Sequence, residues 1–416
     1  MKESDPKIAM SSPICDVETA RNINGSSVRA EPELAQLYRS HRWFELRDAI
    51  SGSSEASFYS GAVAAVFNEV DECKTRFQSM IRSSPASRQA REAHQMLAWM
   101  YARGGEFSSA LSELHALAVL QEETAELERG IELYATLARY PQQHVVERGL
   151  SVLSYKKLDG YIFIPLQVNG RAAHFMVDSG ANISLITESQ AAELRLPIQE
   201  VPSTATMMYG VTGTVTPFCT ALVNELTLGR HTIKNVIFFV VADDQFDFYP
   251  GFGGALGLPV LLALRTLRWT TSEIFEAGFA SAVKRLSECN LAFDNSDCVV
   301  QASSSGKEFD LLLDTGNNQT IFWPPFVARS KQIIDKAASG HLALTGVSGT
   351  AMVEHHLASQ FKLKIGDFEL GIKDVPVLRC ITTPNSRWLS GHLGVDLLAH
   401  CESVTIDFPA MKLDMQ

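Results

Sequence analysis

Two short stretches of this 416-residue chain each carry a carboxylate out of an apolar run and into a tight turn. The first is Phe175-Met176-Val177-Asp178-Ser179-Gly180-Ala181, and the second is Leu311-Leu312-Leu313-Asp314-Thr315-Gly316-Asn317. Their spacing is 314 − 178 = 136 residues. Two carboxylates brought to one site can hydrolyse an amide. Adjacent like charges cannot both ionise easily, so such a pair holds one proton between them. The ionised member takes a proton from water, and the protonated member polarises the scissile carbonyl. The pair titrates as one unit, so the sequence does not say which Asp is the acid. Gly180 and Gly316 permit the turns. The Ser179 and Thr315 hydroxyls can donate to carboxylates or lock the backbone. The plainer reading of each Asp is a turn former bonded to its own backbone.

What favours chemistry is the repetition around the two aspartates. Asn169-Gly170 precedes the first and Ser305-Gly306 the second, again at 306 − 170 = 136. Downstream, Tyr209-Gly210-Val211-Thr212-Gly213-Thr214 is echoed by Thr345-Gly346-Val347-Ser348-Gly349-Thr350, with 346 − 210 = 136. Leu226-Thr227-Leu228-Gly229 is echoed by Leu363-Lys364-Ile365-Gly366, and Ala255-Leu256-Gly257-Leu258 by His392-Leu393-Gly394-Val395, each at 137. Two copies suggest two similar lobes facing each other. They do not suggest a solenoid, which needs about three or more repeats.

From about residue 155 to 416 the chain resembles the aspartic peptidases, in particular a bacterial retropepsin-like type with both lobes in one polypeptide. The resemblance rests on Asp178-Ser179-Gly180-Ala181, Asp314-Thr315-Gly316, the two apolar-Gly segments and the strand Val404-Thr405-Ile406-Asp407-Phe408. It implies a two-lobed β-rich acid-protease fold with an internal pseudo-two-fold repeat. Each lobe would give one catalytic Asp, with the apolar-Gly segment packed beneath its loop. It implies an aspartic endopeptidase acting on polypeptides, active as a monomer because one chain carries both aspartates. Tyr209, Gly210 and Gly346 are candidate flap residues, since pepsin-like relatives hold a Tyr over the cleft. Asn317 stands where the family usually has Ala, Ser or Thr. The alternative is a catalytically inactive homologue that binds peptides or acts as a scaffold through its helical repeats.

Other chemistries find little support. Gly251-Phe252-Gly253-Gly254-Ala255-Leu256-Gly257 has its third Gly one place late for a dinucleotide loop and lacks a βαβ setting. Glu354-His355-His356 puts two histidines on opposite faces of a strand, which is not a zinc-peptidase helix. No cofactor and no metal is expected. The seven cysteines are scattered without a C-x-x-C, which disfavours a disulfide framework or zinc site. Cys289 and Cys298 are the one plausible pair, against the plainer reading of buried thiols. A net charge of −11 with no basic cluster argues against nucleic acid as a partner. No apolar run reaches the length of a membrane span. The N-terminal residues lack the apolar stretch of a signal peptide, so cytoplasmic residence is the default expectation, with export open if the true start lies upstream.

The elements that position the two aspartates follow from periodicity. The fold class expected is multidomain, α followed by all-β. Residues 1–30 are polar and aperiodic and read as disordered. Residues 31–147 read as helical. Phe58 to Ile81 and Ala90 to Leu120 overlay at an offset of 37, with Gly61 on Ala98, Cys73 on Ala110 and Phe77 on Leu114. This resembles tetratricopeptide units, whose usual repeat is about 34 residues. Such a region either binds a protein partner or simply packs on the peptidase lobes. Near Tyr155 the period switches to two. The first lobe is expected over 150–270, an inter-lobe helix over 271–289 with Thr270 and Glu273 as a capping box, and the second lobe over 290–416. A helix is expected at Glu188 to Leu194, and a longer one after the second Asp, from Pro325 to Ala338. The abrupt switch in period suggests that the helices can be removed without disturbing the Asp loops.

Overall fold

The structure, a computed structural model, describes residues 31–50, 58–121, 124–158, 160–202, 208–209, 215–244, 253–330, 334–346, 349–358, 360–380 and 387–416. Helices come first. The unit read at Phe58 to Ile81 is a pair, Phe58–Val66 and Val70–Ser83, that turns at Asn68 with a positive φ of 58°. Asn tolerates that left-handed conformation at little cost. The next pair, Arg88–Arg103 and Phe107–Leu120, starts where the Ser87 hydroxyl accepts the Ala90 N–H. Ala125–Leu137 starts the same way, on Thr124. Gly61 lets the Phe77 ring approach so closely that a Cβ would sit 2.5 Å from Cε1. Ala98 and Leu114 share a buried cluster in the second pair.

β-structure begins at His144–Glu147, earlier than the change of period near Tyr155, because this short strand pairs antiparallel with His231–Val241. Tyr161–Val168 and Arg171–Val177 form a hairpin through Asn169 and Gly170, with φ of 48° and 77°. Asp297–Ser304 and Lys307–Leu313 form another through Ser305 and Gly306, with φ of 50° and 75°. Two positive φ angles match the turn whose twist suits adjoining strands. Each Asp-bearing strand then pairs in parallel with an apolar-Gly strand: Arg171–Val177 with Gly254–Leu256, and Lys307–Leu313 with Gly391–Leu393. Each apolar-Gly strand pairs on its other side, antiparallel, with a short strand following the Asp loop, Ser184–Thr187 or Ile321–Phe322.

A five-stranded sheet joins the two halves. Its order is Ser151–Ser154, Ile274–Ala277, Thr266–Thr270, Ser403–Asp407, Lys412–Met415, so strands flanking the first lobe pair with strands that close the second.

Two expected helices are corrected by the structure. Over 271–289 the chain turns at Glu273, φ 58°, into the strand Ile274–Ala277, and its only helical piece among the described residues is the 3₁₀ turn Leu286–Glu288. Phe275 and Ala277 are buried at a spacing of two, and pairing on both sides overrides the capping signal. After the second Asp the helix is only Pro324–Arg329, and Ile334–Gly346 is a long strand paired with Gly349–Ala358. The helix at Glu188–Glu193 is present as expected.

The helices are not a detached prefix. Their buried residues, Phe44 and Phe67 among them, belong to the same apolar cluster as Phe293 and Phe408 of the β-rich half. Arg47 Nη1 donates to the Cys289 carbonyl at 2.7 Å, and Gln143 Nε2 to the Pro259 carbonyl at 2.8 Å.

Candidate active site

Each Asp is set by the end of its strand. Phe175, Met176 and Val177 are buried, as are Leu311 and Leu313, so both strands are anchored up to the carboxylate. The Asp178 N–H donates to the Leu256 carbonyl at 3.1 Å, and the Asp314 N–H to the Leu393 carbonyl at 3.1 Å. The chain then turns. Gly180 N–H and Ala181 N–H donate to Asp178 Oδ1 at 2.9 and 3.1 Å, and Gly316 N–H donates to Asp314 Oδ1 at 3.1 Å.

The two loops grip one another. Ser179 N–H donates to Thr315 Oγ1 at 3.0 Å, and Thr315 N–H donates to Ser179 Oγ at 3.1 Å. The Ser179 hydroxyl donates to the Leu313 carbonyl at 2.6 Å, and the Thr315 hydroxyl to the Val177 carbonyl at 2.8 Å. Both hydroxyls are buried, so these bonds are shielded from competing water. The loops approach so closely that a Cβ on Gly180 would overlap the Asp314 carboxylate, and one on Gly316 the Asp178 carboxylate. No side chain larger than hydrogen fits at either place.

Beneath the loops runs a matching pair of supports. Leu258 N–H donates to the Ala181 carbonyl at 2.9 Å, and Val395 N–H to the Asn317 carbonyl at 2.9 Å. The Gly257 N–H is taken by Ser184 Oγ at 3.0 Å and the Gly394 N–H by Thr320 Oγ1 at 2.9 Å. In the second lobe alone, Thr320 also donates to Asp396 Oδ1 at 2.7 Å. Sequence reasoning misses Ser184 and Thr320. The signal is there, since each lies six residues after its Asp and 320 − 184 = 136.

The electrostatics follow from this crowding. Burial pushes the Asp178 carboxyl well above the usual carboxylate range, and the nearby Asp314 charge raises it further, against the pull of the Gly180 and Ala181 amides. Burial raises Asp314 as well, while the Gly316 amide and the Asn317 side chain pull it back. Asn317 therefore acts on the charge of its own Asp. Both aspartates keep part of their surface open. Such a pair can hold one proton.

The candidate flap is described only in part. Met208–Tyr209 pairs with Val215–Thr216, Tyr209 opposite Val215, while Gly210 lies outside the described residues. Gly346 pairs with Gly349 at the end of the long second-lobe hairpin. Cys289 and Cys298 are buried free thiols. Among the described residues no group of three or more His, Cys, Asp or Glu could hold a metal, and no helix is long and apolar enough to cross a membrane.

Residues 164–260 match the family model described as aspartyl protease. The chain resembles the retropepsin-like aspartic peptidases. The match spans the Asp178 loop and its parallel partner strand and ends before Asp314. Among solved structures, a retropepsin-like aspartic protease from Rickettsia conorii is similar at 20% identity over 33% of this chain and 92% of that one, with a TM-score of 0.22. No curated protein matches the chain.

Proposed function

We propose that this retropepsin-like chain is an aspartic endopeptidase, with Asp178 and Asp314 as its catalytic dyad. The observation that supports the reading is the reciprocal bonding of Ser179 and Thr315, which ties the two Asp-bearing loops to one another. One proton is shared. The ionised carboxylate takes a proton from water as it attacks the peptide carbonyl, and the protonated one donates to the carbonyl oxygen. The proton then passes to the leaving nitrogen. Ser179 and Thr315 hold the loops, and Gly180 and Gly316 let them meet. Tyr209 and Gly346, with Gly210 next to Tyr209 in the sequence, are assigned to the segments that cover a bound peptide. The lobes over 150–270 and 290–416 are related by a pseudo-two-fold axis, a reading supported by matching strand pairings at offsets of 136 and 137. Both aspartates lie in one chain, so a monomer is active. The helices over 31–137 form tetratricopeptide-like pairs that brace the second lobe.

The test uses a peptide library with the full chain, Asp178→Asn, Asp314→Asn and the double variant, with melting curves to confirm folding. Each single variant should abolish cleavage, and the double should be scarcely worse, because the carboxylates act as one unit. A folded wild-type chain that cleaves nothing between about pH 4 and about pH 8 would instead be a peptide-binding homologue.

A further inference from the structure

Where the helices meet the β-rich half they border a partly open cavity of about 210 Å³. Its walls include Tyr38, Trp43, Trp99 and Arg103 from the helical side, and Phe293 and Asn295 from a hairpin turn of the β-rich side. It lies outside the Asp loops and shares no residue with them.

Arg103 is 4% exposed. Its Nη1 donates to the Asn295 carbonyl at 3.0 Å, Nη2 donates to the Ala65 carbonyl, and the guanidinium sits 4.5 Å over the Phe293 ring. No carboxylate of the described residues pairs with it, and burial pulls its pKa down to about 10. The neighbouring acid, Asp294, is already committed to His41 Nδ1 and Trp388 Nε1, each at 2.7 Å. A buried cation without a counterion is costly, and a cavity at its side is where a counterion would go.

Two further atoms of the wall lack partners. Trp43, 4% exposed, has its Nε1 donor buried and unbonded, and Asn295 has its Oδ1 acceptor buried and unbonded. Buried polar groups are bonded in the great majority of cases, so each unpaired one calls for a cause. The three demands are an anion for Arg103, an acceptor for Trp43 and a donor for Asn295, among aromatic walls.

We propose that this cavity binds an N-acylated amino acid with a free carboxylate and a compact apolar side chain. The carboxylate pairs with Arg103 and accepts from Trp43, the acylated N–H donates to Asn295, and the side chain packs among the rings. A free N-acyl amino acid and the C-terminal residue of a peptide share this chemistry. The cavity's volume suits the side chain and its carboxylate, since about 150 Å³ of apolar space holds a benzene ring.

The test titrates the full-length chain with N-acetyl-leucine and N-acetyl-leucinamide, and with Ala-Ala-Leu and its C-terminal amide. Trp43 and Trp99 line the cavity, so tryptophan fluorescence reads occupancy directly, and calorimetry checks it. At least one acid should bind at least about tenfold more tightly than its amide. If only the free acid binds, the source is a small molecule; if only the peptide acid binds, the source is a chain terminus. Trp43→Phe keeps the ring and removes the donor. Read by calorimetry on the folded variant, it should weaken acid binding by about five- to tenfold. Arg103→Met should abolish binding; should that variant fail to fold, the acid–amide comparison and Trp43→Phe still decide. Equal binding of acid and amide, or no saturation by about 10 mM, would overturn the proposal and leave Arg103 as a bolt between helices and lobe. Binding is read without turnover, so its failure is separate from failure of the catalytic reading.

Discussion

Ser179 and Thr315 each take the other's backbone N–H on a side-chain hydroxyl, at 3.0 and 3.1 Å, and each hydroxyl donates onward to the carbonyl preceding the other's Asp. The arrangement couples the lobes through four buried hydrogen bonds at the point where chemistry would occur. Removing one hydroxyl orphans a buried N–H and a buried C=O on the opposite loop. Thr315→Val keeps the shape and should cost about 2–4 kcal/mol by denaturant unfolding, with kcat falling more than KM rises. Thr315→Ser, which restores the hydroxyl, should recover most of both. If Thr315→Val and Thr315→Ser behave alike, the hydroxyl is not the coupling element.

Gly180 and Gly316 owe their smallness to the facing carboxylate rather than to an unusual backbone angle. Gly180→Ala and Gly316→Ala should therefore push the aspartates apart and lower kcat/KM at least about a hundredfold. Gly371, with open space around it, supplies the control: Gly371→Ala should change stability by less than about 0.5 kcal/mol and leave activity unchanged.

Both carboxyls of the pair are pushed above the ordinary range, mainly by burial. The singly protonated state therefore persists to higher pH than for two exposed aspartates. The kcat/KM profile should be bell-shaped, with its maximum above about pH 5. A profile that peaks below about pH 3.5 would mean that the pair is more hydrated in solution than this geometry allows.

Asp310, on the same strand as Asp314, is held up to about 7, mainly by burial, with Glu45, Glu308 and Asp294 adding to the rise and Arg329 opposing it. The folded chain thus binds this proton more tightly than the unfolded chain. The associated stability is full below about pH 4 and is lost as pH rises through about 7. Asp310→Asn should be neutral at about pH 4 and stabilising by about 1–2 kcal/mol at about pH 8. Urea unfolding at the two pH values decides it. A gain that is equal at both would remove titration as the cause.

The helices cover Phe293 and share its apolar cluster, so a chain beginning at His144 would bare that surface. Against the expectation of a separable prefix, such a truncation should aggregate or melt well below the full chain. Size-exclusion chromatography and a melting curve measure this. A monomeric truncation with an unchanged melting temperature would restore the idea of an independent module.

The parts of the site that are legible in sequence are those fixed by short, local chemistry. Asp178 and Asp314 declare themselves through their turns, and Asn169-Gly170 and Ser305-Gly306 through the positive φ that their hairpins need. The supports at Ser184 and Thr320 obey the same offset but bond to segments more than seventy residues away, so no local pattern marks them. The failures have one cause. Residues 271–289 and 334–338 carry helix-compatible residues, yet strand pairing claims them: the adjoining Thr266–Thr270 and the distant Ser151–Ser154 take Ile274–Ala277, and the adjoining Gly349–Ala358 takes Ile334–Gly346. The cavity at Arg103 is invisible in sequence because its two walls come from residues 293 − 103 = 190 to 295 − 38 = 257 positions apart.

The five-stranded sheet also sets an order of events during synthesis. Thr266–Thr270 leaves the ribosome long before Ser403–Asp407, its partner on one side. In the interval the first lobe has a bare strand edge, a template for wrong pairings. It also holds Asp178 with no second carboxylate opposite, because Asp314 and its supporting Gly391–Leu393 strand come later in the chain. The strand that seals the exposed edge follows the Gly391–Leu393 strand closely in the chain, so the support of the second carboxylate and the end of the aggregation hazard arrive nearly together.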